Sequence, residues 1–105
     1  MAKRIIPHKV FKTKEDFHQF IKNEKEWMFT RIVDSIESSF KAGNLEACIF
    51  EAKIVDAGTV VTMNSPIEDW RQSLSLALAW NEKQERYEEC AKIQSLIRKI
   101  TEHLQ

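Results

Sequence analysis

Ser65 to Gln105 reads SPIEDWRQSLSLALAWNEKQERYEECAKIQSLIRKITEHLQ, and after Pro66 it contains neither Gly nor Pro. Its opening predicts a helix start. Ser65 can serve as the N-cap, Pro66 suits the first helical position, and Glu68 completes a capping box three residues after the cap. Ile67, Trp70, Leu74 and Leu78 then form one apolar stripe, with Leu76 and Trp80 on a second. Asn81-Glu82-Lys83-Gln84-Glu85-Arg86 interrupts the pattern. Beyond it Cys90, Ile93, Ile97, Ile100 and Leu104 recur in steps of three and four, a seam like that of a coiled coil. One unbroken helix over this stretch would extend roughly 60 Å, whereas a domain of this size has a radius of gyration of about 13 Å. The polar run at 81–86 is therefore read as a turn, and the segment as an antiparallel helical hairpin.

Upstream, the periodicity changes. From Leu45, Cys48, Phe50, Ala52 and Ile54 alternate with Ile49, Glu51, Lys53 and Val55, which predicts a strand with Cys48 on the same buried face as Phe50. Asp56-Ala57-Gly58 is turn chemistry, and Thr59-Val60-Val61-Thr62-Met63 is a β-branched second strand. An isolated hairpin is marginal, so residues 4–11, where Pro7 blocks helix, are expected to extend the sheet. Between these strands, Thr13 reads as an N-cap followed by Glu15 and Asp16 in the first turn. Phe17, Phe20, Ile21, Met28, Ile32, Ile36 and Phe40 follow on a broad helical face. Asn23-Glu24-Lys25-Glu26 is a polar gap able to bend that helix, and Gly43-Asn44 is its stop. The fold class predicted is α+β: one domain over 1–105, with a small antiparallel sheet from residues 45–63 and a possible N-terminal strand, packed on three helices.

The second arm of the hairpin resembles the UVR motif, the short helical hairpin through which bacterial excision-repair proteins contact one another. The resemblance spans residues of about 78–100 and rests on Tyr87-Glu88, Cys90-Ala91, Ile93, Ile97 and Ile100. Gln94-Ser95 stands where that family has Arg-Asp, and Asn81 and Glu82 stand where its first arm has small residues. The resemblance implies docking of a helical hairpin onto another protein. Trp80, Tyr87 and Cys90 are also similar to a single tetratricopeptide unit, but such arrays need about three repeats and no second copy follows.

Composition narrows the function. The 105 residues are 43% hydrophobic and carry 16 basic and 16 acidic side chains, a net charge of zero. This balance argues against a strongly basic nucleic-acid binder and against an acidic DNA mimic. The basic start, Met1-Ala2-Lys3-Arg4-Ile5-Ile6-Pro7, has no apolar run long enough for a signal peptide or membrane span. Cys48 and Cys90 are the two cysteines, and a reducing cytoplasmic compartment with both as buried thiols is the simplest expectation, although the pair could also bridge. His8, His18 and His103 lie on separate segments, so no metal is expected. Phosphate-binding Gly loops and HExxH are missing. Two carboxylate pairs, Asp34 with Glu37 and Glu85 with Glu89, read as shared helix faces. A third, Glu68-Asp69, reads as helix-start charge. None is read as an acid–base dyad, because nothing in the sequence marks a cleft to split their pKa values.

What remains is an aromatic surplus. Trp27 and Phe29 cannot share one face of a helix that turns about 100° per residue. They need either a second buried surface or a partner. Leu76, Trp80 and Tyr87 are the candidate partner-binding residues, since Trp and Tyr are enriched at interfaces. The leading expectation is a non-enzymatic interaction module without cofactor, an adaptor, inhibitor or accessory protein of the kind bacteria and their phages encode. Its partner would be another protein or a second copy of itself. An alternative is nucleic-acid binding by the basic arm, Lys3, Arg4, Lys9, Lys12 and Lys14, with Phe11 stacking a base. A further alternative is a homo-oligomer that shelters a small ligand between subunits.

Overall fold

The computed structural model describes residues 6–104. Its elements run β1 (His8–Phe11), α1 (Lys14–Asn23), α2 (Lys25–Ala42), β2 (Glu46–Ile54), β3 (Thr59–Pro66), a 3-10 turn (Ile67–Asp69), α3 (Trp70–Lys83) and α4 (Tyr87–Leu104). The class is α+β, with a C-terminal helix pair. Two details differ from the sequence expectation. The sheet, ordered β1-β2-β3, is mixed: β2 and β3 are antiparallel, but β1 pairs parallel to β2, Lys9 opposite Ala52 and Phe11 opposite Ile54. The connection between β1 and β2 contains two helices, and such a crossover returns the chain in the same direction. The helices also number four among the described residues, because the polar gap breaks the first one outright.

That break is local. Glu24 leaves the helical region at φ −104°, ψ 53°, yet its N–H still donates to the Phe20 carbonyl and its own carbonyl accepts from Met28 N–H. At the start of α1, the Thr13 hydroxyl accepts from Asp16 N–H at 3.1 Å, the cap anticipated. At the end of α2, Gly43 takes φ +75°. Its N–H and that of Asn44 close back on the Phe40 and Ser39 carbonyls, the Schellman arrangement that a left-handed residue permits.

Strand β2 carries a bulge between Cys48 and Phe50. The extra residue shifts the alternation, so Ala47, not Cys48, joins Phe50, Ala52 and Ile54 among the buried residues. Cys48 is half-buried and Cys90 buried, and both are thiols. The guanidinium of Arg31 donates twice to the Ile49 carbonyl, at 3.2 and 3.0 Å, so the irregular backbone is pinned from α2.

The helix start proposed at Ser65 is not used. Ser65 and Pro66 continue β3, opposite Ala47 and Glu46. The Trp70 indole N–H donates to the Ser65 carbonyl at 2.8 Å, and the 3-10 turn that follows has no side-chain cap. Strand pairing and a buried tryptophan outweigh a cap worth about 1 kcal/mol.

Two buried clusters share α2 as their wall. On the sheet side lie Phe17, Met28, Ile49, Phe50, Ala52 and Ile54, with Trp27 packed against them. On the other side Val33, Ile36, Trp70, Leu74, Ala77, Ile93, Leu96 and Ile100 form the helical core, with Phe29 packed against it. Trp27 and Phe29 thus each have a buried surface of their own. The hairpin break is equally necessary. A single helix over 70–104 would be about 52 Å long, more than the molecule's longest dimension of 44 Å.

Candidate protein-docking site

The tip of the helical hairpin is built by its turn. After Lys83 the chain reverses through Gln84, Glu85 and Arg86. Glu85 is the sole non-glycine residue at positive φ among the described residues, at 56°. Its N–H donates to the Glu82 carbonyl and that of Arg86 to the Asn81 carbonyl, at 3.1 and 3.0 Å. This repeats the closure at Gly43, with a glutamate in the left-handed position. It also removes Glu85 from any helix face shared with Glu89, so that carboxylate pair does not exist as read from the sequence.

The turn aims Arg86 at two neighbours. Its Nη1 lies 3.0 Å from Glu26 Oε1 at the start of α2, and its guanidinium stands 6.0 Å from the centre of the Trp80 ring. Trp80 is half-buried, with its ring 5.6 Å from that of Phe29 on α2. Glu26, Arg86, Trp80 and Phe29 therefore form a joint between the hairpin tip and α2. Trp80 is in part a structural residue.

Leu76 and Tyr87 are differently placed. They are 59% and 66% exposed. Leu76 stands one helical turn before Trp80 on α3, and Tyr87 is the first residue of α4. The hairpin thus carries two open apolar or aromatic side chains, Leu76 on its first arm one turn from the half-covered Trp80 and Tyr87 at the start of its second, with Glu88 and Glu89 in the first turn of α4. Polar residues surrounding a few large anchors are the pattern of an interface centre and rim.

The residues proposed for nucleic acid are described only in part. Lys3 and Arg4 lie outside the described residues. Lys12 and Lys14 are exposed. Lys9 turns toward the helices, its Nζ 5.0 Å from the Phe20 ring centre and 4.8 Å from that of Trp27. Phe11 is half-buried against Phe17 and Phe20, with ring centres 5.5 and 5.3 Å apart. Those edge-on and tilted contacts with two rings of α1 tie Phe11 to the sheet-side core, leaving it less free to stack on a base.

Two surfaces were missed in the sequence. The uncovered face of the sheet carries Val10 and Val60, 60% and 57% exposed. The second is a cavity between α2 and α4, lined in part by Phe40 and Leu96. Spacing along one helix gives no sign of a gap between two. Among the described residues, no group of three or more His, Cys, Asp or Glu side chains is placed to hold a metal ion. No helix among them is long and apolar enough to cross a membrane. Comparison with protein-family models, curated proteins and solved structures finds no match for this chain.

Proposed function

We propose that this chain is a small, non-enzymatic interaction module that docks through the tip of its C-terminal helical hairpin onto a helix of a partner protein or of a second copy. The observation that carries this reading is the exposure of Leu76 and Tyr87 on the two arms of the hairpin that also carries the half-buried Trp80. Large apolar side chains at the surface serve as anchors when a partner desolvates them. The resemblance of residues 78–100 to the UVR hairpin supports the same mode of use. An adaptor, inhibitor or accessory protein working in the cytoplasm fits this reading. The basic arm is the weaker alternative, because Phe11 and Lys9 are already engaged by aromatic neighbours.

A photo-crosslinking residue placed at 76 or 87 in the source cells tests the proposal, with the same residue at Thr62 on the uncovered sheet face as control. The expected result is one discrete adduct from positions 76 and 87 and none from 62. Light scattering on the purified chain distinguishes a second copy from a foreign partner. Equal labelling from all three positions would overturn the reading.

A further inference from the structure

Helices α2 and α4 run side by side in the same direction, joined by charged pairs across their seam. Glu26 pairs with Arg86 at 3.0 Å, and Asp34 with Lys92 at 3.5 Å. The next step along the seam places Lys41 of α2 and Lys99 of α4 on the same cavity, two positive charges where the earlier rungs set acid against base. Neither lysine makes a salt bridge among the described residues, and Lys92 is already committed to Asp34. Glu37 also lines the cavity and is the single acid facing the two lysines there.

The cavity has a volume of about 200 Å³. Its apolar lining is Phe40 and Leu96, with Leu96 4% exposed. The His103 ring stands edge-on to Phe40, 5.5 Å between centres. An enclosed apolar cavity of about 150 Å³ accepts a benzene ring; this hollow opens to solvent and is bordered also by Ser95 and charged side chains, and its volume suffices for a ring or short alkyl chain. The helix dipole favours Lys41 in the last turn of α2, but that does not account for a second exposed lysine on the rim of the same hollow, above Phe40 and Leu96. A negative charge attached to a small apolar body would complement both the two lysines and the two apolar side chains.

We infer that the cavity between α2 and α4 is a binding site for a small organic carboxylate, its apolar body against Phe40 and Leu96 and its carboxylate between Lys41 and Lys99. The site is independent of the hairpin tip: Arg86 and Lys99 are about 20 Å apart along α4 at 1.5 Å per residue. It would stand even if the docking proposal failed.

Amide and side-chain NMR of the full chain, titrated with 3-phenylpropionate, acetate and 3-phenylpropan-1-ol, tests the inference. The acid should shift Phe40, Lys41, Leu96 and Lys99 saturably, with half-saturation near or below about 1 mM. Acetate lacks the apolar body and the alcohol lacks the charge, so each should bind at least about tenfold more weakly. Lys41→Gln with Lys99→Gln should weaken the acid about tenfold while leaving distant resonances in place. If the double variant does not fold, each single variant should weaken it about threefold. Three results would overturn the inference: no saturable shift by about 10 mM, equal binding of acid and alcohol, or undiminished affinity in the glutamine variants.

Discussion

Ser65 shows how the same residue can be read in two opposite ways. As a helix cap its hydroxyl would stabilise the chain, and alanine would cost about 1 kcal/mol. In the fold it is a buried strand residue, 6% exposed, whose Oγ has no hydrogen-bond partner among the described residues. A buried hydroxyl without a partner is a liability. Ser65→Ala is therefore expected to leave stability unchanged or raise it by up to about 1 kcal/mol, measured by urea unfolding. A loss of that size instead would restore the capping role. The residue types at 65–68 were legible, but the pairing of Ser65 with Ala47 depends on a strand eighteen positions earlier, and no local motif encodes it.

At the scale of elements, the two helix closures form a natural pair. Gly43 and Glu85 occupy equivalent left-handed positions, and a Cβ at Gly43 would meet nothing within 4 Å. The cost of a side chain there is conformational alone, about 1 kcal/mol. Gly43→Ala should lower stability by that amount, and Glu85→Gly should raise it by about 0.5–1 kcal/mol, part of the gain being lost to the freer unfolded chain. Thermal melts of both variants would decide it, and a stabilised Gly43→Ala would contradict the closure described. Helix ends at Gly43 and in the run 81–86 were readable because composition changes there. The bulge at Ile49 was not, since an alternating sequence looks the same whether or not a residue is inserted into the ladder, and it moved Cys48 off the face predicted for it.

For the whole molecule, the decisive feature is that α2 has two buried sides. Its sheet side takes Trp27 and Met28, and its helical side takes Phe29, Val33 and Ile36. Much of the aromatic surplus in the sequence is absorbed in this way, and what is left at the surface is more selective. Leu74 and Leu76, two residues apart on α3, separate the two roles. Leu74 is fully buried, and Leu74→Ala should cost about 2–5 kcal/mol. Leu76 is 59% exposed, and Leu76→Asp should change stability by no more than about 0.5 kcal/mol while abolishing the crosslinked adduct obtained from position 87. Equilibrium unfolding of both variants, with crosslinking of the second, checks this. A large loss of stability in Leu76→Asp would make that residue part of the core rather than of a docking surface.

The amino-acid pattern by itself determined the α+β class, the caps at Thr13 and Gly43, the existence of strands β2 and β3 and the break in the C-terminal helix. All of these are set by neighbours within a few positions: side chains that satisfy nearby backbone groups, or that recur with the period of one element. The parallel strand β1, the inward turn of Lys9 and Phe11, the burial of Ser65 and the lysine-lined hollow between α2 and α4 were decided by tertiary structure alone. Each depends on which segments distant in sequence come into contact, and a one-dimensional pattern carries the apolar faces without saying which of them will meet.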